Sequence, residues 1–525
     1  MAVATTRGRV ATVLSGVALL WGSAQAAVFL VIAARRVAFP FELEWLEGVG
    51  LDHIARIAAG QPFYPAPSVD FLPLIYTPLY FHIAALPSLE WPLVGAAAPA
   101  FWFGRALSAL ATIVAAAAIG ALVRRAGGRT LPAMLAATTW LGAFEVCGRW
   151  FDLMKADTPM MALVLGGTWA LDAARGDDIR RRGATAMLAA ALFVAAIFVK
   201  QSAVFYALAA GVFVIWRRRE LLLPFAATGV GLSLIGLAVC HIAWGEWFWY
   251  YVVNVPAAQP VAWPRVPTFF TADLLAVVGP LILLAALRLV APTDDESTPA
   301  RDTRRLLLAL TVAGFVAAFL GRVHWGGWIN NRIYLVAPLI AYAFAAAAPF
   351  FPRLRFLDPQ GGDAPSLNAL PRLAATLPTL AAILVLTQFA LFAYDPRDAV
   401  PTAKDREKLE RVVARISAVD GDVWIPDHGG LARQAGKRPF AHAYVMRYLE
   451  NAEGPDNAVT ARMESLIEQR AFGAVVVGYN NRWQEKIDAH YRFSARLLPR
   501  TGFGRFMTGT GPLPRYLMTP RGGAE

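Results

Sequence analysis

The 525-residue chain is 57% hydrophobic and only 16% charged, with a positive mean hydropathy; this excludes an ordinary soluble domain and points to many lipid-spanning helices. Its net charge of +12 comes from 49 Lys and Arg against 37 Asp and Glu, but the basic residues sit in short clusters between apolar runs, so the surplus reads as membrane topology and not as a nucleic-acid surface. The two cysteines, Cys147 and Cys240, lie in or beside apolar runs with no CxxC or Cys/His spacing, which excludes a disulfide framework and a cysteine zinc site.

At the N-terminus, Arg7 and Arg9, an apolar stretch and Ser23-Ala24-Gln25-Ala26 have the form of a secretory signal. The apolar run continues from Val10 to Ala34, long enough to span, so an uncleaved first helix is expected. Further runs follow at roughly 102–123, 131–147, 158–174, 184–199, 202–216, 224–244, 272–290, 306–321, 333–350 and 374–394, about 11 transmembrane helices with the first. The clusters Arg124/Arg125/Arg129, Arg175/Arg180/Arg181/Arg182, Arg217/Arg218/Arg219, Arg288/Arg301/Arg304/Arg305 and Arg353/Arg355/Arg372 fit one side, taken as cytoplasmic with the N-terminus. An odd number of crossings puts the C-terminal part outside. From about Asp395, short apolar runs (Asp422 to Pro426, Ala474 to Gly478) alternate with helical patterns (Lys404 to Val419, Ala458 to Phe472), which predicts a small extracytoplasmic α/β domain, 395–525, after a membrane domain, 1–394.

The first outer loop, 35–101, is too long for a plain connector and holds Glu42, Glu44, Glu47 and Asp52. If Glu44 to Ala59 is helical, Glu44 and Glu47 share a face, and Leu51, Ile54 and Ile57 form an apolar stripe suited to the membrane interface. Two neighbouring carboxylates raise one another's proton affinity and suit a general base; a solvated acidic face with an Asp52–Arg56 ion pair fits the same spacing.

Cations also stand at the outward ends of spans, against the positive-inside bias: Arg35, Arg36, Arg149, Lys155, Lys200, Arg265, Arg322 and Arg332. An anionic ligand such as a lipid phosphate accounts for them, while pairs such as Arg149 with Asp152 at helical spacing account for some. Lys200, between apolar runs, is expected to point into a polar cavity. His324 and Trp325 with Gly326 and Gly327 predict a turn that lets backbone approach a ligand.

With these residues in place the chain resembles the GT-C superfamily of integral-membrane glycosyltransferases, near its protein mannosyltransferase and aminoarabinose transferase branch. The resemblance rests on Glu44-Trp45-Leu46-Glu47-Gly48, on Ala58-Ala59-Gly60-Gln61-Pro62-Phe63-Tyr64 and Tyr76-Thr77-Pro78-Leu79-Tyr80, and on Lys155-Ala156-Asp157, Val199-Lys200-Gln201 and Gly326-Gly327-Trp328-Ile329-Asn330. It departs where members often carry Asp-Glu or Asp-Asp, because Leu46 precedes Glu47 here; whether Glu44 or Glu47 is the base stays open.

The resemblance implies a GT-C-like fold and an inverting transfer from a polyprenyl-phosphate sugar to an acceptor hydroxyl on a glycan, lipid or protein, at the outer face of a bacterial inner membrane. It implies Glu44 or Glu47 as base, Asp157 orienting the acceptor or a cation, and Lys200, Arg332, Arg322 and Lys155 on the donor phosphate. Tyr64, Tyr76, His324 and Asn330 are expected in the substrate pocket. No cofactor is fixed, and a divalent cation is compatible because the superfamily has both metal-dependent and metal-independent members. A transporter or lipid-linked glycan flippase is the competing reading, but it calls for charges at mid-span and repeated broken helices; an assembly factor using the outer domain as a binding module is the third.

Overall fold

The computed structural model describes the chain except residues 1, 91–94, 292–296, 355, 359–374, 479–481, 510 and 523–525, and the side chains of 2–7. The expected Arg355 and Arg372, and the side chain of Arg7, lie outside the described residues.

Each of the apolar runs is a helix, among them Ala2–Val37, Phe101–Arg125, Asp157–Ala173, Ile179–Val199, Val204–Arg217, Thr298–Val323 and Arg332–Ala347. Among the described residues seven helices are long and apolar enough to cross a membrane, or up to eight when the bent pair Leu377–Leu391 and Pro396–Ser417 counts as one span. The others are shorter and pack against longer neighbours, which lets a sub-length helix stay in lipid at modest cost. The helix Arg219–Trp244 turns nearly all of its surface outward, whereas Ile329–Phe350 is almost wholly enclosed; its continuous Ala, Leu and Ile run suits burial on every side.

The basic clusters gather at one end. There Arg125 and Arg175 both pair with Asp172, and Arg217 (3.0 Å) and Arg305 (3.3 Å) both pair with Asp302. At the opposite end the first-loop helix runs Glu47–Ala58, not from Glu44. Glu44 instead bridges to Thr508 in extended conformation, so the two carboxylates do not share a helical face. The expected interfacial stripe is also inside the protein: Leu51 and Ile54 are buried in the core and Ile57 packs against it. The short helix Gly429–Gln434 covers this loop helix, replacing lipid as the apolar partner.

The C-terminal part carries a four-stranded mixed sheet, with β1 (Val423–Trp424), β2 (Ala474–Val477), β3 (Tyr491–Arg496) and β4 (Tyr516–Pro520) in the order β1-β2-β4-β3. Strand β1 runs parallel to β2 and the remaining pairs are antiparallel. The all-apolar Ala-Val-Val-Val of β2 is buried throughout, as a central strand covered on both faces requires.

Polar contacts stitch this part to the first loop. His428 Nδ1 meets Glu42 at 2.5 Å, the Gly430 amide donates to Glu42 at 3.0 Å, and Arg433 pairs with Asp52 at 2.7 Å. Arg56, whose spacing also fitted a pair with Asp52, stacks on Phe71 and donates to the Pro62 carbonyl. Gly48 is required at this crossing, because a Cβ there would stand 2.1 Å from Glu42 Oε1 and 2.6 Å from the Gly430 nitrogen.

Candidate active site

Two cavities adjoin beneath the C-terminal part. One, of about 320 Å³, is walled by Glu44, Trp45, Arg265, Trp325 and Tyr444 among others. The other, of about 400 Å³ and more apolar, reaches between the helices past Lys200, Gln201, Phe205, Leu320 and Tyr334. Both are lined by Tyr76, Gly326, Gly327, Trp328, Asn330 and Tyr448, so these residues mark the junction.

Glu44 is fully buried at the wall of the first cavity. One oxygen accepts from the Lys155 ammonium at 2.6 Å and from the Leu46 amide at 3.0 Å, while Oε1 has no hydrogen-bond partner. Burial pushes its carboxyl up to about 7, an effect that Lys155 only partly offsets; Glu47 contributes less than either. A group that gains and loses a proton near neutral pH suits base catalysis.

Glu47 has a different setting. Its carboxylate accepts from Arg105 at 3.0 and 2.6 Å and from the amides of Leu43 and Met154, each at 2.8 Å. Burial alone would raise its proton affinity, but Arg105 and the two amides reverse this and hold it below the usual carboxylate range. Every lone pair facing a partner is used, and Glu47 lines neither cavity. Arg105 is absent from the sequence expectations because it stands inside an apolar helix; a lone arginine one turn into such a run, opposite an acidic loop, is the signal.

Asp157 Oδ1 accepts from Lys200 at 2.9 Å, Tyr334 at 2.8 Å and Asn330 at 3.1 Å, and Oδ2 accepts from the Trp150 indole at 3.2 Å. Lys200 also stands over the Tyr76 ring, 4.4 Å from its centroid. The structure thus brings Lys155-Ala156-Asp157, Lys200 and Asn330 together from three chain segments. It places Arg322 and Arg332 elsewhere, sharing Asp273 at 2.9 and 2.6 Å behind the second cavity. Asp273 sits on a widened π-helical turn, Phe269–Leu275; a lone acid at the mouth of an apolar run was its only trace in sequence.

Of the other outward cations, Arg36 pairs with Asp152 at 2.8 Å and Arg149 with Glu145 at 2.6 Å, so the expected Arg149–Asp152 pair is replaced. Arg35 is exposed. Arg265 lines the Glu44 cavity and donates to the carbonyls of His324 (3.1 Å) and Gly327 (2.9 Å); among the described residues no carboxylate pairs with it.

Tyr64 is buried away from both cavities, donating to the Tyr76 carbonyl at 2.5 Å. His324 lines the second cavity and contacts the carbonyls of Trp325 (2.6 Å) and Pro256 (3.0 Å). The Gly326-Gly327 turn does admit a close approach, but from protein: a Cβ on Gly326, at φ 79°, would lie 2.2 Å from the Tyr444 hydroxyl and 2.5 Å from that of Tyr448. Both tyrosines come from the C-terminal helix Ala443–Glu453 and were not foreseen. Trp325 stacks on Tyr444 at 5.4 Å, and Trp45 meets Tyr444 edge-on at 5.0 Å. Among the described residues no three His, Cys, Asp or Glu side chains group as a metal site.

No family model matches the chain and no curated protein matches it by sequence. Solved structures do match. The crystal structure of ArnT from Cupriavidus metallidurans bound to undecaprenyl phosphate superposes with a TM-score of 0.57 at 13% identity, over 95% of this chain and 97% of that one. The archaeal oligosaccharyltransferase AglB from Archaeoglobus fulgidus, in complex with an inhibitory peptide and a dolichol-phosphate, gives 0.50 at 13% identity, over 95% and 76%. Both are GT-C membrane glycosyltransferases. At this level of identity the likeness is one of architecture, and the chain is an integral membrane protein with the GT-C fold.

Proposed function

We propose that the chain is an inverting glycosyltransferase that moves a sugar from a polyprenyl-phosphate donor to an acceptor hydroxyl, with Glu44 as general base. The observation that carries this reading is Glu44 itself: a buried carboxyl with one unpartnered oxygen, titrating near neutrality, on the wall of a cavity that continues into an apolar cleft between helices. The acceptor oxygen forms its bond to the anomeric carbon as the bond from that carbon to the phosphate oxygen breaks. The electron pair leaves with polyprenyl phosphate, and the acceptor proton passes to Glu44.

Arg265 and Lys200 offset the charge that grows on the leaving phosphate in a low-dielectric setting. Asp157 positions Lys200, Lys155 tunes Glu44, and Glu47, Arg322 and Arg332 hold the scaffold. The lipid phosphates bound to the ArnT and AglB structures support a lipid-linked donor here. The positive-inside pattern supports a cytoplasmic N-terminus; on this reading the protein is one of a bacterial inner membrane, with a catalytic membrane part over 1–394 and an outer domain over 395–525.

The test is Glu44→Gln, assayed in detergent so that transport across a sealed membrane produces no signal. Transfer from a polyprenyl-phosphate sugar should fall by about 10²–10⁴-fold while polyprenyl phosphate still binds. Turnover within about tenfold of wild type would remove Glu44 from the base role.

A further inference from the structure

We propose that the transferred group is an uncharged sugar, held where the two cavities meet, between the Tyr448 ring and the Trp328 indole. The inference rests on the glycosyltransferase reading above. Three features of the junction support it.

The first is charge. Of the ionisable groups at the cavities, Lys200 is neutralised by Asp157 and Glu44 by Lys155, each within 3 Å. Arg265 remains, with only carbonyl acceptors among the described residues. His324, also ionisable and at the second cavity, hydrogen-bonds only to carbonyls, so Arg265 is the permanently charged cation there without a counter-ion, and it matches one lipid phosphate. No carboxylate is left to receive an ammonium on the sugar, because Glu44 already shares its charge with Lys155 and must keep an oxygen for the acceptor proton. A buried ammonium without its own counter-charge would be costly.

The second is unmet hydrogen bonding. The indole N–H of Trp328, a residue of the junction, and Oε1 of Glu44, a residue of the first cavity's wall, are buried without a partner. One is a donor and the other an acceptor, and a buried polar atom left without a partner is costly. A hydroxyl both donates and accepts, so a hydroxyl of the transferred ring can accept from the indole while that of the acceptor donates to Glu44 Oε1.

The third is shape. Tyr448 and Trp328 line both cavities, and Tyr448 is braced by Tyr444, whose hydroxyl lies 3.3 Å from its own and donates to the Gly326 carbonyl at 2.8 Å. Aromatic faces flanked by a few polar atoms are what the mixed surface of a sugar ring requires. Since Tyr448 belongs to the C-terminal helix, the part of the chain beyond the membrane helices selects the sugar.

The experiment measures Kd for the full-length protein in detergent with a short-chain polyprenyl phosphate, bare or carrying a glucosyl, mannosyl, arabinosyl or free-amine glucosaminyl group. At least one neutral glycoside should bind about tenfold tighter than the bare lipid, about 1.4 kcal/mol, and the amine form should bind more weakly than its neutral counterpart. Tyr448→Ala should erase that increment, read as the ratio of bare-lipid to glycoside Kd within the same variant; Tyr448→Phe and Trp328→Phe, which keep an aromatic ring, should each reduce it partially. Tightest binding of the amine form, no increment with any neutral sugar, or an increment untouched by all three variants overturns the proposal and leaves the lipid-donor reading standing. Failure of wild type to bind the bare lipid phosphate overturns both.

Discussion

Glu47→Gln separates the two first-loop carboxylates. Glu47 accepts four hydrogen bonds, two from Arg105 and two from the amides of Leu43 and Met154. Arg105 is itself fully buried, and its remaining donors go to the carbonyls of Arg36, Phe39 and Phe41 at 3.2, 2.6 and 2.7 Å. The amide of glutamine has the right volume but no charge, and it turns one acceptor into a donor that would face the Arg105 or backbone N–H groups. Removing one partner of a buried ion pair costs about 3–5 kcal/mol, because the surviving charge is left uncompensated. Unfolding in detergent, followed by intrinsic fluorescence on heating, should show a fall in midpoint on the order of 5 °C. Glu44→Gln also takes the carboxylate away from a buried partner, Lys155, so its midpoint should fall as well; what sets it apart is the loss of transfer. If Glu47→Gln keeps the wild-type midpoint within about 1 °C and loses transfer instead, the assignment of a structural role to Glu47 is wrong.

The pH dependence follows from the same residue. Glu44 acts as a base only when deprotonated, so kcat/KM should fall about tenfold per pH unit below about 7 and level off above it, a limb absent from Glu44→Gln. Its carboxyl binds a proton more tightly in the fold than its ordinary value of 4.5, so wild-type stability should decline as pH rises from about 4.5 through about 7, and Glu44→Gln should flatten that slope. Gly326→Ala would push a methyl into the Tyr444 and Tyr448 hydroxyls and strain a positive φ; transfer should drop more than tenfold, and adding Tyr444→Phe should recover part of it if steric conflict is the cause. Asp273→Asn leaves Arg322 and Arg332 without their shared carboxylate and should cost about 3 kcal/mol, read as a lower unfolding midpoint with the donor KM little changed.

The helical architecture was legible because lipid imposes one rule on every span: about 20 apolar residues with cations gathered at one end. The ion pairs of Asp172 and Asp302 show those cations meeting as expected. Strands β1 and β2 were legible from the short apolar runs Asp422 to Pro426 and Ala474 to Gly478, whereas β3 and β4, with their mixed polar composition, were not. Which cations face a cavity was not legible. Arg322 and Arg332 read like Arg265 in sequence, and only the fold reveals that Asp273 neutralises the first two. Spacing also misjudged Glu44 and Glu47. Their helical register was overridden by a bridge to Thr508, more than 450 residues away, and no local pattern encodes such a partner. Tyr444 and Tyr448 escaped notice for the same reason: on an amphipathic outer helix they look like ordinary surface and core positions until the Gly326 turn is seen to fold around their hydroxyls.

The stitching of Glu42, Asp52 and Gly48 to His428, Arg433 and Gly430 sets a schedule for biogenesis. The early loop reaches the membrane surface while the segment that must clamp it is still hundreds of residues from being synthesised. Until that segment arrives, Glu42 and Asp52 stay hydrated and the loop helix lacks its apolar cover. The membrane bundle is therefore incomplete until the C-terminal segment has docked on the first loop.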